Sequence, residues 1–417
     1  MPSDRRNREN STYKSAVKYA GLIKVEMQSS GVVPWSEKTE PLAGCDYEKE
    51  ISIKQKALER LFKENNIQLK PEKIVLSPRP RNYRTTSKRK IIEYKGKFYF
   101  LFADEDYVTK EKLFRPSLLE PDEHKIIFDY LCVKLNSPGY ISLARVINYI
   151  IIRGSYTEFS VIFNIHKINA EIVKKLKNIS ELLKELKCNI ISSFMFYDPT
   201  RSEYYFESER PEKEVTFKKF FGPDTLFLKL NDKKYSYNPT SFSQINESVV
   251  PLMIEKVKTL LMPGKAETLY DLYCGYGLFA CAFAGDYANV VGIETSAESI
   301  KSAITNAKHQ NPEAKVKFIV KKISGSALLQ IFPEKNSGRE IFLLDPPRSG
   351  VERNVIKVIA ERNPEKVVHI FCNADEIING VNEWEKYGYK AEAVLPLDMF
   401  PGSPNLETIV LFKKKLV

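Results

Sequence analysis

From about residue 250 the chain settles into a regular beat. Short apolar runs at 269–274, 290–294, 316–320, 341–345 and 367–371 alternate with stretches of helical periodicity such as 249–262, 278–284 and 297–309. Runs of five or six apolar residues, each returned to the next by a helix, fold as parallel strands with helices on both faces. Two last strand-like runs, 391–397 and 406–412, flank a turn at Pro401-Gly402. The expected fold class is therefore α/β: a doubly wound sheet with an antiparallel C-terminal hairpin. Residues 91–240 mix short strand-like and helical runs without that regularity, an α+β pattern. Residues 48–65 read as a helix with Ile51, Leu58, Leu61 and Phe62 on one face and Lys54 among the residues set elsewhere. Residues 1–44, broken by Gly31, Pro34, Pro41 and Gly44, read as an arm. The expected divisions are 1–90 (arm, helix and basic loop), 91–240 (central α+β domain) and 241–417 (the regular α/β domain).

In a doubly wound sheet, ligands bind at the carboxyl ends of the strands, and four motifs fall there. The first is Asp271-Leu272-Tyr273-Cys274-Gly275-Tyr276-Gly277, a strand running through two glycines into a helix. Glycines let a backbone approach a ligand closely. Glu294 ends the next strand, placed to bind ribose hydroxyls. Position 280 is Ala rather than the third glycine of a dinucleotide fingerprint, and an acid leads in. The motif looks more like an S-adenosylmethionine site than an NAD site. The second motif, Asp345-Pro346-Pro347-Arg348, stiffens the loop after the fourth strand. The third ends at Cys372-Asn373. A lone cysteine is usually a small buried hydrophobe, but this one ends a strand expected beside that of Asp345. The fourth runs from Phe400-Pro401 to Glu407-Thr408. If the last strand is antiparallel, its start lies on the same rim, so Asp345, Cys372 and Glu407 converge.

The charge is unevenly spread. Residues 241–417 hold 21 basic and 21 acidic residues, so the whole net charge of +11 lies in residues 1–240. A basic half joined to a neutral half suits a protein that grips phosphates with one part and does chemistry with the other. The stretch 77–90 carries six basic residues around Tyr83. It reads as a loop that could hold a phosphate backbone and stack a base, or simply as a solvated loop. Six scattered cysteines without a CxxC pair argue against a disulfide framework and for a reducing, cytoplasmic compartment. No apolar run is long enough to span a membrane, and residues 1–13 lack the apolar core of a secretory signal. A monomer is the default expectation.

Together the motifs resemble the RNA uracil-5 methyltransferases, which make 5-methyluridine in tRNA or ribosomal RNA. The stretches that carry the likeness are Phe242-Ser243-Gln244-Ile245-Asn246, the 271–279 turn, Asp345-Pro346-Pro347-Arg348, Cys372-Asn373 and Phe400-Pro401 through Glu407-Thr408. The resemblance implies a class I methyltransferase sheet and S-adenosyl-L-methionine as cofactor. It implies RNA as partner, Cys372 as nucleophile, Glu407 as proton acceptor, and Gln244, Tyr273, Gly275, Glu294 and Asp345 around the cofactor. The segment from Gly44 to Lys56 is more similar to the ribosomal branch, so 23S rRNA is expected ahead of tRNA. Many members hold an iron–sulfur cluster with four N-terminal cysteines. Only Cys45 stands in that region here, so no cluster and no metal are expected. Ala374 follows Asn373 where Pro is frequent, and Asn405 stands where His is frequent. The alternatives are an amino-group (adenine N6) RNA methyltransferase, disfavoured by Arg348 after Pro-Pro, and a non-catalytic RNA-binding protein with a degenerate cofactor pocket.

Overall fold

The structure, a computed structural model, describes residues 18–103, 109, 116–201, 216–230, 233–262, 264, 267–334 and 339–415. Two helices come first, α1 (Tyr19–Ser29) and α2 (Tyr47–Glu64). Asp46 starts α2: its carboxylate accepts from the backbone N–H of Glu48 (3.0 Å) and Lys49 (3.2 Å). Leu58, Leu61 and Phe62 are buried, as their spacing predicts. Residues 18–44 differ from the expected arm. Leu22, Ile23 and Met27 of α1 are buried in one core with Leu58, Phe371 and Trp384, and so pack on the C-terminal half. Apolar residues spaced one helical turn apart supply the driving force that the later breakers obscured.

The central part is a six-stranded sheet of β1 (Thr86–Tyr94), β2 (Lys97–Phe102), β3 (Ile147–Gly154), β4 (Phe159–Ile165), β5 (Ile190–Tyr197) and β6 (Thr216–Phe221), in the order β2-β1-β3-β4-β5-β6. Among the described residues of this sheet, only β4 and β5 pair in parallel. Between them in sequence runs α5 (Ala170–Leu183), the crossover a parallel pair requires. Helix α3 (Asp122–Leu135), the short α4 (Ile141–Ala144) and α5 bury Ile127, Leu131, Leu176 and Ile179 against Ile150, Ile152 and Phe163. A two-stranded ribbon follows, β7 (Leu226–Leu230) and β8 (Lys233–Tyr237). It packs through Leu226, Tyr235 and Tyr237 on Tyr276, Leu278 and Cys281 of the C-terminal half.

The C-terminal half contains α6 (Val250–Leu261), β9 (Thr268–Leu272), α7 (Leu278–Ala282), β10 (Asn289–Glu294), α8 (Ala297–Gln310), β11 (Val316–Val320) and α9 (Gly325–Ile331). It continues with β12 (Glu340–Leu344), α10 (Val355–Glu361), β13 (Lys366–Phe371), α11 (Ala374–Lys386), β14 (Tyr389–Leu397) and β15 (Glu407–Lys414). The strand order is β11-β10-β9-β12-β13-β15-β14. The first five strands are parallel, and β15 inserts antiparallel between β13 and β14. This is the expected doubly wound sheet with its antiparallel hairpin. The chain winds outward through β10 and β11, then returns to the other side of β9 at β12. That reversal opens a crevice at the carboxyl ends of β9 and β12.

Candidate active site

Strand register alone aligns the expected residues in rows. Ile293, Leu272 and Leu344 are paired neighbours across β10, β9 and β12. The next residue on each strand is Glu294, Tyr273 and Asp345, so those three stand in one row at the carboxyl edge. On β13 and β15, Phe371 pairs with Thr408 in an antiparallel ladder. One step further sets Cys372 opposite Glu407. From β10 to β13 is three strand spacings, about 14 Å.

The turn after β9 is built for close approach. Tyr273, Gly275 and Gly277 have φ of 64°, 52° and 81°, a region that L side chains rarely enter. A Cβ at Gly275 would meet nothing within 4 Å, so the space over that residue is open. The Gly275 N–H donates to Glu294 Oε2 (3.2 Å) and the Ser296 N–H to Glu294 Oε1 (2.8 Å), which fixes the carboxylate. Both oxygens keep lone pairs for further donors. Tyr273 donates its hydroxyl to Glu352. Asp271 is fully buried. Its Oδ2 accepts from the Ala280 N–H (2.9 Å), its Oδ1 has no hydrogen-bond partner, and burial holds its carboxyl well above the usual range. These features fit a ligand with ribose hydroxyls lying against exposed backbone, as S-adenosylmethionine would. Glu352, absent from the motifs, is the missed neighbour of Tyr273. Nothing in local sequence pairs residues 79 positions apart.

The other group is electrostatically tense. Burial, then the Glu407 and Asp345 charges, push the half-buried Cys372 thiol up to about 12, with Arg348 acting in the opposite sense. Glu407 is 2% exposed. Burial, then Asp345, hold it up to about 8, again opposed by Arg348. Burial raises Asp345 to about 7. A thiol and two carboxyls share one desolvated rim that a positive charge would relieve. None of the four histidines takes part in this group. His369, on β13, is fully buried behind it and accepts from Trp384 Nε1 (3.3 Å).

Gln244, nearly buried, arrives on a separate segment, 241–246. Asn246 beside it donates to Ser77 Oγ (3.0 Å) and the Met399 carbonyl (3.3 Å). Arg153, 1% exposed, donates to the carbonyls of Pro239 and Ser241 (2.7 Å) and to Ser243 Oγ (2.8 Å).

Two sequence expectations are corrected here. Tyr83 stacks on no base: it is fully buried and donates to the Pro401 carbonyl (2.9 Å). Arg81 beside it is spent on the carbonyls of Leu42, Ala43 and Cys45 and on Glu50. Lys54 is not solvated. It is fully buried, with Nζ 2.7 Å from Asp398, 2.9 Å from Glu50 and 3.0 Å from the Phe400 carbonyl. Glu50 in turn accepts from the Gly402 N–H (2.5 Å). This buried network underlies the turn that leads into Glu407, and long-range partners rather than local pattern decide its burial. Among the described residues no group of three or more His, Cys, Asp or Glu is placed to hold a metal, and no helix is long and apolar enough to cross a membrane.

Residues 208–415 match the family described as tRNA (Uracil-5-)-methyltransferase. The chain is 25% identical over 393 residues to an uncharacterized RNA methyltransferase of Clostridium acetobutylicum, covering 89% of this chain and 80% of that protein. It is also 25% identical over 378 residues to an uncharacterized RNA methyltransferase of Nanoarchaeum equitans, covering 88% and 76%. Among solved structures, the Pyrococcus abyssi tRNA (uracil-54, C5)-methyltransferase in complex with S-adenosyl-L-homocysteine shares the fold at a TM-score of 0.65 and 20% identity, over 88% of this chain and 82% of that one. By the family match and its RNA methyltransferase relatives, the chain is an RNA methyltransferase of the tRNA (uracil-5-)-methyltransferase family.

Proposed function

We propose that this enzyme forms 5-methyluridine in RNA, with Cys372 as nucleophile and Glu407 as the base. Uracil C5 is a weak nucleophile. Cys372 Sγ gives up its proton to solvent and adds to C6 as the thiolate, and the displaced electron pair spreads over C5, C4 and O4. S-adenosylmethionine would be held by Gln244, Tyr273, Gly275, Glu294 and Asp345 and would supply an electrophilic methyl group to C5, its S–CH3 bond breaking with the electron pair kept by the departing thioether sulfur. Glu407 takes the proton from C5, the C6–S bond breaks, and the C5–C6 double bond returns. The target base must leave its stack to lie between the two side chains. The observation that carries this reading is the antiparallel register that sets Cys372 opposite Glu407.

The substrate we propose is tRNA ahead of ribosomal RNA. The matched family and the Pyrococcus relative are both described by tRNA. The 44–56 segment, whose likeness favoured ribosomal RNA, is occupied internally by Lys54, Glu50 and Arg81. The test is methylation of unmodified tRNA and 23S rRNA with labelled cofactor, followed by nucleoside analysis. Label in 5-methyluridine, its loss in Cys372→Ala, and a covalent adduct with 5-fluorouridine RNA are expected. Label in N6-methyladenosine, or full activity in Cys372→Ala, would overturn the mechanism.

A further inference from the structure

The central sheet holds a second concentration of chemistry that methyl transfer does not use. At the end of β3 away from Arg153 lies a cavity of about 330 Å³, lined by Lys90, Arg145, Asn148, Tyr149, His166 and Arg201, with Glu93 as its acidic side chain. A directed chain of hydrogen bonds runs through it. Arg201 Nη2 lies 2.7 Å from His166 Nε2, and His166 Nδ1 lies 2.8 Å from Asn148 Oδ1. A guanidinium can only donate, so Nε2 accepts and Nδ1 carries the proton given to Asn148. Asn148 Nδ2 then donates to Asn164 Oδ1 (2.8 Å). Burial, then the Arg201 and Lys167 charges, hold His166 below its ordinary value, consistent with a neutral ring.

Arg201 itself is exposed, yet it sits at φ 54°. The turn is fixed by Asp198, whose carboxylate accepts from the Thr200 N–H (3.1 Å) and hydroxyl (2.6 Å) and whose carbonyl accepts from the Arg201 N–H (3.2 Å). Backbone strain of about 1 kcal/mol or more is thus spent holding an exposed guanidinium that buries nothing. Among the described lining residues, Lys90, Arg145 and Arg201 set three permanent cations around one small cavity against the single carboxylate of Glu93, an excess of positive charge that attracts an anion. A phosphate group has the charge and the size. From Asn148 to Arg153 is five residues of strand, about 17 Å, and Arg153 holds the segment that carries Gln244. The cavity therefore lies one strand length from the segment that carries Gln244.

We propose that this cavity of the central sheet, built on Lys90, Arg145, His166 and Arg201, binds a backbone phosphate of the RNA substrate. The proposal rests on the reading of the chain as an RNA enzyme, but its test needs no methyl transfer. Fluorescence anisotropy of labelled, unmodified tRNA is measured with the full-length protein from 50 to 300 mM KCl. Arg145→Ala and Arg201→Gln should each weaken binding about 3–10-fold and lower the slope of log K against log salt by about 1. Arg201→Lys should restore the slope without the full affinity. Lys177→Ala, on the exposed side of α5, removes an equal charge and should move the slope by less than half as much. Cofactor binding by calorimetry, unchanged in every variant, reports intact folding. If Arg145→Ala and Arg201→Gln shift the slope no more than Lys177→Ala, the proposal fails. It fails equally if inorganic phosphate binds through Arg145 and Arg201 while RNA binding ignores them. A wild-type protein that binds tRNA through this cavity but makes no 5-methyluridine would sink the proposed function and leave the cavity standing.

Discussion

Glu407 opens β15 facing Cys372, and its proton affinity sets two measurable quantities at once. Burial and the Asp345 charge hold its carboxyl up to about 8, against Arg348. A base acts only when ionised. With the Cys372 thiol held up to about 12 and also required ionised, the kcat/KM for RNA should therefore climb about a hundredfold per pH unit well below 8 and about tenfold per unit above it, the change of slope marking the Glu407 midpoint. Arg348→Gln removes the cation that favours the ionised form, so the midpoint should move to higher pH; an unmoved midpoint would separate Arg348 from this group. Stability has the opposite sign. An unfolded Glu titrates near ~4.3, so the native state holds an extra proton between there and about 8, and stability falls as pH rises through that window. Glu407→Gln carries no such proton. Its melting temperature should gain on wild type from pH 5 to pH 9, by about 2–4 °C for each kcal/mol recovered, while turnover drops roughly 10²–10⁴-fold. Parallel melting curves across that range would contradict the raised carboxyl. Asp345, Cys372 and Glu407 were legible in the sequence because each marks a strand end, and strand ends are local events. Lys54 and Tyr83 were not legible, because their partners Asp398 and Pro401 lie 344 and 318 residues away. A lysine in a polar helix or a tyrosine among arginines looks solvated until those partners are known.

The turn between β9 and α7 separates strain from recognition. An alanine Cβ at Gly275 would meet no atom, so its cost to the free protein is the left-handed backbone alone, about 1–2 kcal/mol. The added methyl would stand in the open space where cofactor is proposed to lie. Gly275→Ala should thus weaken S-adenosylmethionine binding by calorimetry more than it lowers stability, and unaltered affinity would move the cofactor elsewhere. At Gly277 a Cβ would come within 3.0 Å of Ala303 Cβ and 3.2 Å of its Cα, on top of φ 81°. Gly277→Ala should therefore displace α8 and lose stability as well as binding. Under the turn at 398–402, Lys54 neutralises Asp398 and Glu50, and all three side chains are fully buried. Lys54→Met leaves two buried carboxylates facing each other. A loss of about 3–5 kcal/mol in denaturant unfolding is expected, against a few tenths for a solvated helix lysine. The helix carrying Lys54 was readable from its apolar spacing. Its lysine's role depended on the turn at 398–402 folding beneath it.

At the scale of the whole chain, the uneven charge suggests two halves but says nothing of how firmly they are joined. The central sheet reaches the C-terminal half through the last residues of β3. There Arg153 donates to the carbonyls of Pro239 and Ser241 and to Ser243 Oγ, and the Tyr237 hydroxyl donates to the Gly154 carbonyl (3.1 Å). Tyr156 adds a hydroxyl contact to Asn246 (3.3 Å), and Thr85 donates its N–H to the Ile245 carbonyl (3.0 Å). Every one of these bonds lands on or beside the segment carrying Gln244. The part proposed to hold RNA and the part proposed to hold cofactor are thus tied at one strap. Domains with an interface this polar unfold separately unless specific bonds couple them. Arg153 supplies the densest set, and replacing it leaves buried acceptors without a donor at about 1–3 kcal/mol each. Scanning calorimetry should show one cooperative transition for the native chain and two for Arg153→Met, the earlier one belonging to the central sheet. The KM for S-adenosylmethionine should rise in the same variant at temperatures well below either transition, since the strap no longer fixes Gln244. A single transition at the native midpoint, with cofactor KM unchanged, would mean that Arg153 only fills space and that the two halves are coupled through the packing of the β7–β8 ribbon on Tyr276 and Leu278.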